Sequence, residues 1–147
     1  MASKELIEKI KKDIEEDKRT YLQNCKEHYS EYIEVAQILF KKYYDIPSRK
    51  QNNWYKNFTE KALEAKQNKE TETEKQILEM AIDDKIDAPY VYNRLAVLYS
   101  KEKDFKKAYE VCKKWFNSIY WKIPNMVTTT LKILDRMEKL EKKLEKK

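Results

Sequence analysis

The sequence predicts an all-helical fold, and three observations carry that prediction. The 147 residues include no glycine and only three prolines, whereas strand-rich folds need glycine in tight turns and bulges. Apolar residues recur at alternating spacings of three and four along most of the chain, the period of one helix face. Apolar positions in the second half also repeat after a constant shift of 34 residues. The length suits a single domain over 1–147, and 41% hydrophobic residues suffice for a core.

Residues 1–45 read as a long N-terminal helix or a helix pair. Leu22, Cys25, Tyr29, Tyr32, Ala36, Leu39 and Tyr43 form one stripe. Ile7, Ile10, Ile14 and Tyr21 form another, displaced by one position. The polar stretch Glu15–Arg19 lies at the displacement, so the helix is expected to bend or break near Asp17. Ser3 suits the helix start. Pro47 disfavours helix in the residue before it, which stops the segment near Asp45.

A polar linker, Ser48–Asn53, precedes a helix carrying Trp54, Tyr55, Phe58, Ala62 and Ala65. Gln67–Thr71 reads as a turn. The next helix carries Ile77, Leu78, Ala81 and Ile82 and ends before Asp87-Ala88-Pro89. In the stretch 89–116, Tyr92, Leu95, Ala96 and Tyr99 share one face, and Phe105, Ala108, Val111, Cys112 and Trp115 share another. The charged insert Lys101–Asp104 separates them as a tight turn. Two apolar faces joined in this way must cover each other, which makes a helix hairpin.

The 34-residue shift relates Phe58, Tyr92 and Met126, then Ala62, Ala96 and Thr130, then Ala65, Tyr99 and Ile133. It also pairs Ile77 with Val111, Leu78 with Cys112 and Ile82 with Phe116. That period in helix pairs marks a tetratricopeptide array. Tyr92-x-x-Leu95-Ala96-x-x-Tyr99 followed by Asp104-Phe105-x-x-Ala108 resembles one tetratricopeptide repeat. The resemblance covers residues 89–116 well. It departs at Lys103, where the family has a turn glycine, at Trp115, where it has a small residue, and at Glu74, which stands where Ala108 stands one repeat later. It implies a degenerate repeat over 53–87, a clear one over 88–122 and a capping helix over 123–147.

Composition excludes several classes of function. A chain without glycine cannot build a glycine-rich phosphate cradle. His28 is the single histidine, and no His/Cys group has metal-ligand spacing. Cys25 and Cys112 read as reduced core residues of a cytoplasmic protein. Asp83, Asp84 and Asp87 read as a solvated turn rather than an acid–base pair. No apolar run approaches the roughly 20 residues that span a bilayer. The chain is therefore expected to be neither an enzyme nor a membrane protein, and to need no cofactor.

The expected function is protein–protein interaction, with another protein as partner. The resemblance places the binding surface on the first helix of each pair. That implies Lys56, Thr59, Leu63 and Lys66, then Tyr90, Asn93, Arg94, Val97 and Lys101, then Val127, Leu131 and Leu134 on the last helix. The clamp by which chaperone-binding relatives hold a terminal carboxylate is missing: its positions carry Thr59, Leu63, Arg94, Pro124 and Thr128. One alternative is a small bacterial or mobile-element inhibitor that blocks a partner enzyme, such as a nuclease, by occlusion. Nucleic-acid binding is a lesser alternative. Residues 101–122 carry seven lysines and arginines against three acids, and Lys113, Lys114, Trp121 and Lys122 interleave charge with aromatic surface. Leu140 and Leu144 offer a short seam for a homodimer, as does the N-terminal helix.

Overall fold

The computed structural model describes residues 3–45 and 52–145. Among these residues every regular element is helical. The N-terminal segment is not one long helix. It forms α1 (Lys4–Glu16), α2 (Lys18–Glu27), α3 (Tyr29–Leu39) and a single turn α4 (Lys41–Tyr44). Ser3 caps α1, its hydroxyl accepting from the Leu6 amide at 3.1 Å. The expected break falls at Asp17, where the backbone is extended at φ −151°, ψ 103°. Asp17 then caps α2 by accepting from the Arg19 amide at 3.0 Å. The hydroxyl and backbone amide of Thr20 hold its carboxyl below the usual range.

Two further bends, at His28 and Phe40, have no signal in the apolar spacing. Both residues leave helical geometry, at φ −123°, ψ 45° and φ −117°, ψ 39°. The bends let a stripe too long for one straight face follow a curved core. Tyr29, on the predicted stripe, is turned out to solvent as a result.

The second half consists of α5 (Asn52–Gln67), α6 (Thr71–Asp83), α7 (Pro89–Lys101), α8 (Phe105–Phe116) and α9 (Val127–Glu145). Two 3₁₀ turns, Tyr120–Lys122 and Pro124–Met126, lead into α9. The linker expected over Ser48–Asn53 lies largely outside the described residues, as do the side chains of Trp54, Tyr55 and Lys56. Helix α5 packs on α6, α6 on α7, α7 on α8, and α8 on α9. Helix α2 packs on α9, while α3 packs on the turn at Pro124–Met126. One buried cluster therefore runs from Ile10 through Leu22, Leu78, Ala96 and Trp115 to Leu140.

The 34-residue shift recurs in backbone geometry. Lys69 and Lys103 both adopt left-handed φ, at 58° and 62°. Each is followed by a bond across the helix end: the Glu70 amide donates to Ala65 O at 2.8 Å, and the Asp104 amide to Tyr99 O at 2.9 Å. Glu70 and Asp104 then take nearly the same conformation, φ −92°, ψ 73° and φ −89°, ψ 71°. Lys85 ends α6 in the same way, with φ 58° and an Ile86 amide bond to Ala81 O at 3.0 Å. In a chain without glycine, lysine takes the helix-terminating position that glycine usually fills.

A side chain in left-handed geometry costs about 1–2 kcal/mol, part of which glycine's unfolded-state entropy offsets. Lys103→Gly is therefore expected to raise stability by about 0.5–1 kcal/mol, read from the urea midpoint. Glycine at Glu110, exposed in the middle of α8, should lower it by a similar amount. A destabilised Lys103→Gly would mean that the lysine side chain contributes more than its backbone strain costs.

Candidate protein-binding surface

The predicted surface residues separate into three groups. Leu63 and Lys66 on α5 and Tyr90 and Lys101 on α7 are exposed, with Leu63 at 47% and Tyr90 at 41%. Val97 lies half-buried on the Tyr90 side of α7, two turns along. Thr59 is also half-buried. These positions stay at the surface because the buried stripe of α7, Val91, Tyr92, Leu95, Ala96, Leu98 and Tyr99, faces its neighbours. Residues Tyr90, Val97 and Lys101 lie at spacings of seven and four, close to one helical face.

The second group is engaged within the chain. Glu74 Oε2 accepts from Arg94 Nε at 2.7 Å, and Oε1 accepts from Nη2 at 3.1 Å. Arg94 thus spends its guanidinium on the α6–α7 contact, where Glu74 is only 2% exposed. Glu74 and desolvation act on it in opposite directions, and the carboxylate wins, raising its pKa. The side-chain oxygen of Asn93 accepts from Arg136 Nε on α9 at 3.4 Å. The free-surface assignment of Arg94 is therefore corrected. Sequence carried a clue: an acid at a position that is alanine 34 residues later, if buried alike, needs a cation.

The third group is buried. Val127 and Leu134 belong to the core, and Leu131 is half-buried against it. The α9 face expected to line a groove is covered because α9 is packed by α7, α8 and α2 together. Arg19 on α2 fastens this contact, donating to Asp135 Oδ1 at 2.7 Å and to Glu138 Oε1 at 2.5 Å. Leu140, half of the expected dimer seam, is consumed in the same core.

The basic aromatic alternative changes as well. Trp121 is 3% exposed. Its ring meets Tyr21 edge-on at 6.1 Å and Phe116 at 5.8 Å, and Lys18 lies over it at 5.5 Å. The Tyr21 hydroxyl donates to the Lys122 carbonyl. Base stacking on this indole has no open face. Lys113 and Lys114 remain exposed, and Lys122 is half-buried. Asp87, expected in solvent, is buried and accepts from the Tyr43 hydroxyl at 2.8 Å. Asp83 and Asp84 are exposed as expected.

Among the described residues no group of three or more His, Cys, Asp or Glu residues could hold a metal ion. Burial pushes both Cys25 and Cys112 up to about 12, so neither is a thiolate near neutral pH. Among the described residues no helix is long and apolar enough to cross a membrane. These features define an all-helical protein with a mixed apolar and basic surface on α5 and α7. No family model, no curated protein and no solved structure matches the chain significantly.

Proposed function

We propose that this chain is a non-catalytic binding module built from tetratricopeptide-like antiparallel helix hairpins, and that it grips a segment of another protein. The observation that carries the reading is the recurrence, 34 residues apart, of the turns Lys69–Glu70 and Lys103–Asp104, each with a left-handed lysine followed by an acid in nearly the same conformation that starts the next helix. A repeated hairpin stacks its first helices side by side and offers their outer faces to a partner. Leu63, Lys66, Tyr90, Val97 and Lys101 supply that face. Leucine and tyrosine give apolar contact area, and the lysines favour acidic flanks. The matching occupant is an amphipathic, acidic segment.

A photoreactive side chain at position 63 or 97 should give a discrete protein adduct in native cells. The same group at Lys142, exposed on the tail, should not. Leu63→Asp with Tyr90→Ala should then weaken the captured partner by about 2 kcal/mol or more, at an unchanged melting temperature. Adducts of equal yield at all three positions, or none at 63 and 97, would end this reading.

A further inference from the structure

The junction of α6, α7 and the turn after α8 holds a cleft of about 470 Å³. Its apolar lining comes from Ile82, Tyr92, Ile119 and Tyr120. Both tyrosine hydroxyls are already spent. Tyr92 donates to the Ile86 carbonyl at 2.8 Å and Tyr120 to the Lys85 carbonyl at 3.1 Å. Tyr92 and Ile82 lie almost wholly buried at the back of the cleft, so the hydrocarbon open to it comes from Ile119 and the half-buried Tyr120 ring. Ser118 is spent too: its hydroxyl donates to the Trp115 carbonyl at 2.6 Å and accepts from the Tyr120 amide at 3.2 Å.

The polar groups left over are cationic or neutral. Lys85 and Lys114 line the cleft, exposed, and no acidic residue does. Among the described residues neither ammonium has a hydrogen bond or ion pair. A neighbouring cleft of about 290 Å³ shares Ile82 and Lys114 but is lined by Glu79, Asp83 and Glu110. With Lys107 and Lys114 against three carboxylates, that second cleft is mixed in charge, and the first is the more favourable place for an anion.

We infer that the Tyr92–Tyr120 cleft is a binding site for a small amphipathic carboxylate, whose ring or short chain covers Tyr120 and Ile119 while its anion meets Lys85 and Lys114. The site is distinct from the Leu63–Tyr90 face and does not depend on it. An apolar cleft with few convergent polar groups is the common form of a small-ligand site. Exposed ion pairs are individually weak. The anion thus contributes selectivity, and the apolar floor contributes most of the affinity.

The test uses the full chain with 3-phenylpropionate and its uncharged amide, 3-phenylpropionamide, followed by amide chemical shifts. The carboxylate should shift residues 85–86 and 117–120 saturably. The amide should bind about tenfold more weakly, and added salt should narrow the gap. Lys114→Gln with Lys85→Asn should abolish the preference for the carboxylate without changing the melting temperature. Asparagine keeps the left-handed backbone of residue 85 accessible. Lys114→Gln alone, on an exposed position, should narrow the preference even if the double variant folds poorly. The assignment is overturned by equal binding of acid and amide, by saturable shifts elsewhere, or by no saturable shift at all.

Discussion

Arg94→Ala is expected to lower the unfolding free energy by about 3 kcal/mol, because it strands a buried carboxylate. Glu74 has both oxygens engaged by the Arg94 fork and almost no contact with solvent. Breaking a buried pair from one side costs about 3–5 kcal/mol. The Arg94 side chain is 15% exposed, so the lower end applies. Glu74→Ala should cost less, since the freed guanidinium can turn toward water and the 34-residue shift places alanine, Ala108, at the corresponding position. The double variant should be more stable than Arg94→Ala alone. Urea unfolding of the three variants measures the coupling directly. An Arg94→Ala protein as stable as Glu74→Ala would show that no stranded charge results.

Trp115→Ala is expected to cost about 4 kcal/mol, within the range of about 3–5 for truncating a core aromatic. The indole is fully buried. Its ring centroid lies 4.9 Å from that of Tyr92 and 5.9 Å from that of Tyr120. Its Nε1 donates to Thr130 Oγ1 at 3.2 Å, so truncation also leaves a buried hydroxyl without that donor. Trp115 therefore ties α8 to α7, to the aromatic turn and to α9 at once. Total stabilities are only about 5–15 kcal/mol, so the variant should show a clearly lowered midpoint and weakened near-ultraviolet dichroism. Trp115→Phe should lose much less. A small effect from Trp115→Ala would mean that Tyr92 and Tyr120 collapse into the space.

The candidate surface was implied by the resemblance, and on α7 the apolar periodicity is compatible with the exposure of its residues. Tyr90, Val97 and Lys101 fall opposite a stripe that has to be core, and that local logic suffices for a helix with one buried face. It did not suffice for Val127 and Leu134. On α9 the stripe Met126, Thr130, Ile133 and Met137 marks one covered side. A second side is covered by α2, a helix more than 100 residues earlier in the chain, through Arg19 and Asp135. The exposed cleft at Tyr92 and Tyr120 had no sequence signal either. Its lining is drawn from α6, α7, α8 and the turn after α8, which apolar spacing does not bring together.

The sequence by itself determined the helical class, a bend or break near Asp17, the turns over Gln67–Thr71 and Lys101–Asp104 and the 34-residue spacing between them. Each follows from short-range causes: glycine content, capping side chains and the spacing of apolar residues within a few turns. Tertiary structure alone decided that the chain bends at His28 and Phe40, that Trp121 is sealed beneath Tyr21 and Lys18, and that Asp87 lies buried on Tyr43. Those outcomes rest on pairs far apart in sequence, 101 residues for Tyr21 and Lys122 and 44 for Tyr43 and Asp87. Periodicity reports that a face must be covered. It carries no information about which distant element covers it, because burial is set by the sum of all packing contacts and not by the local backbone.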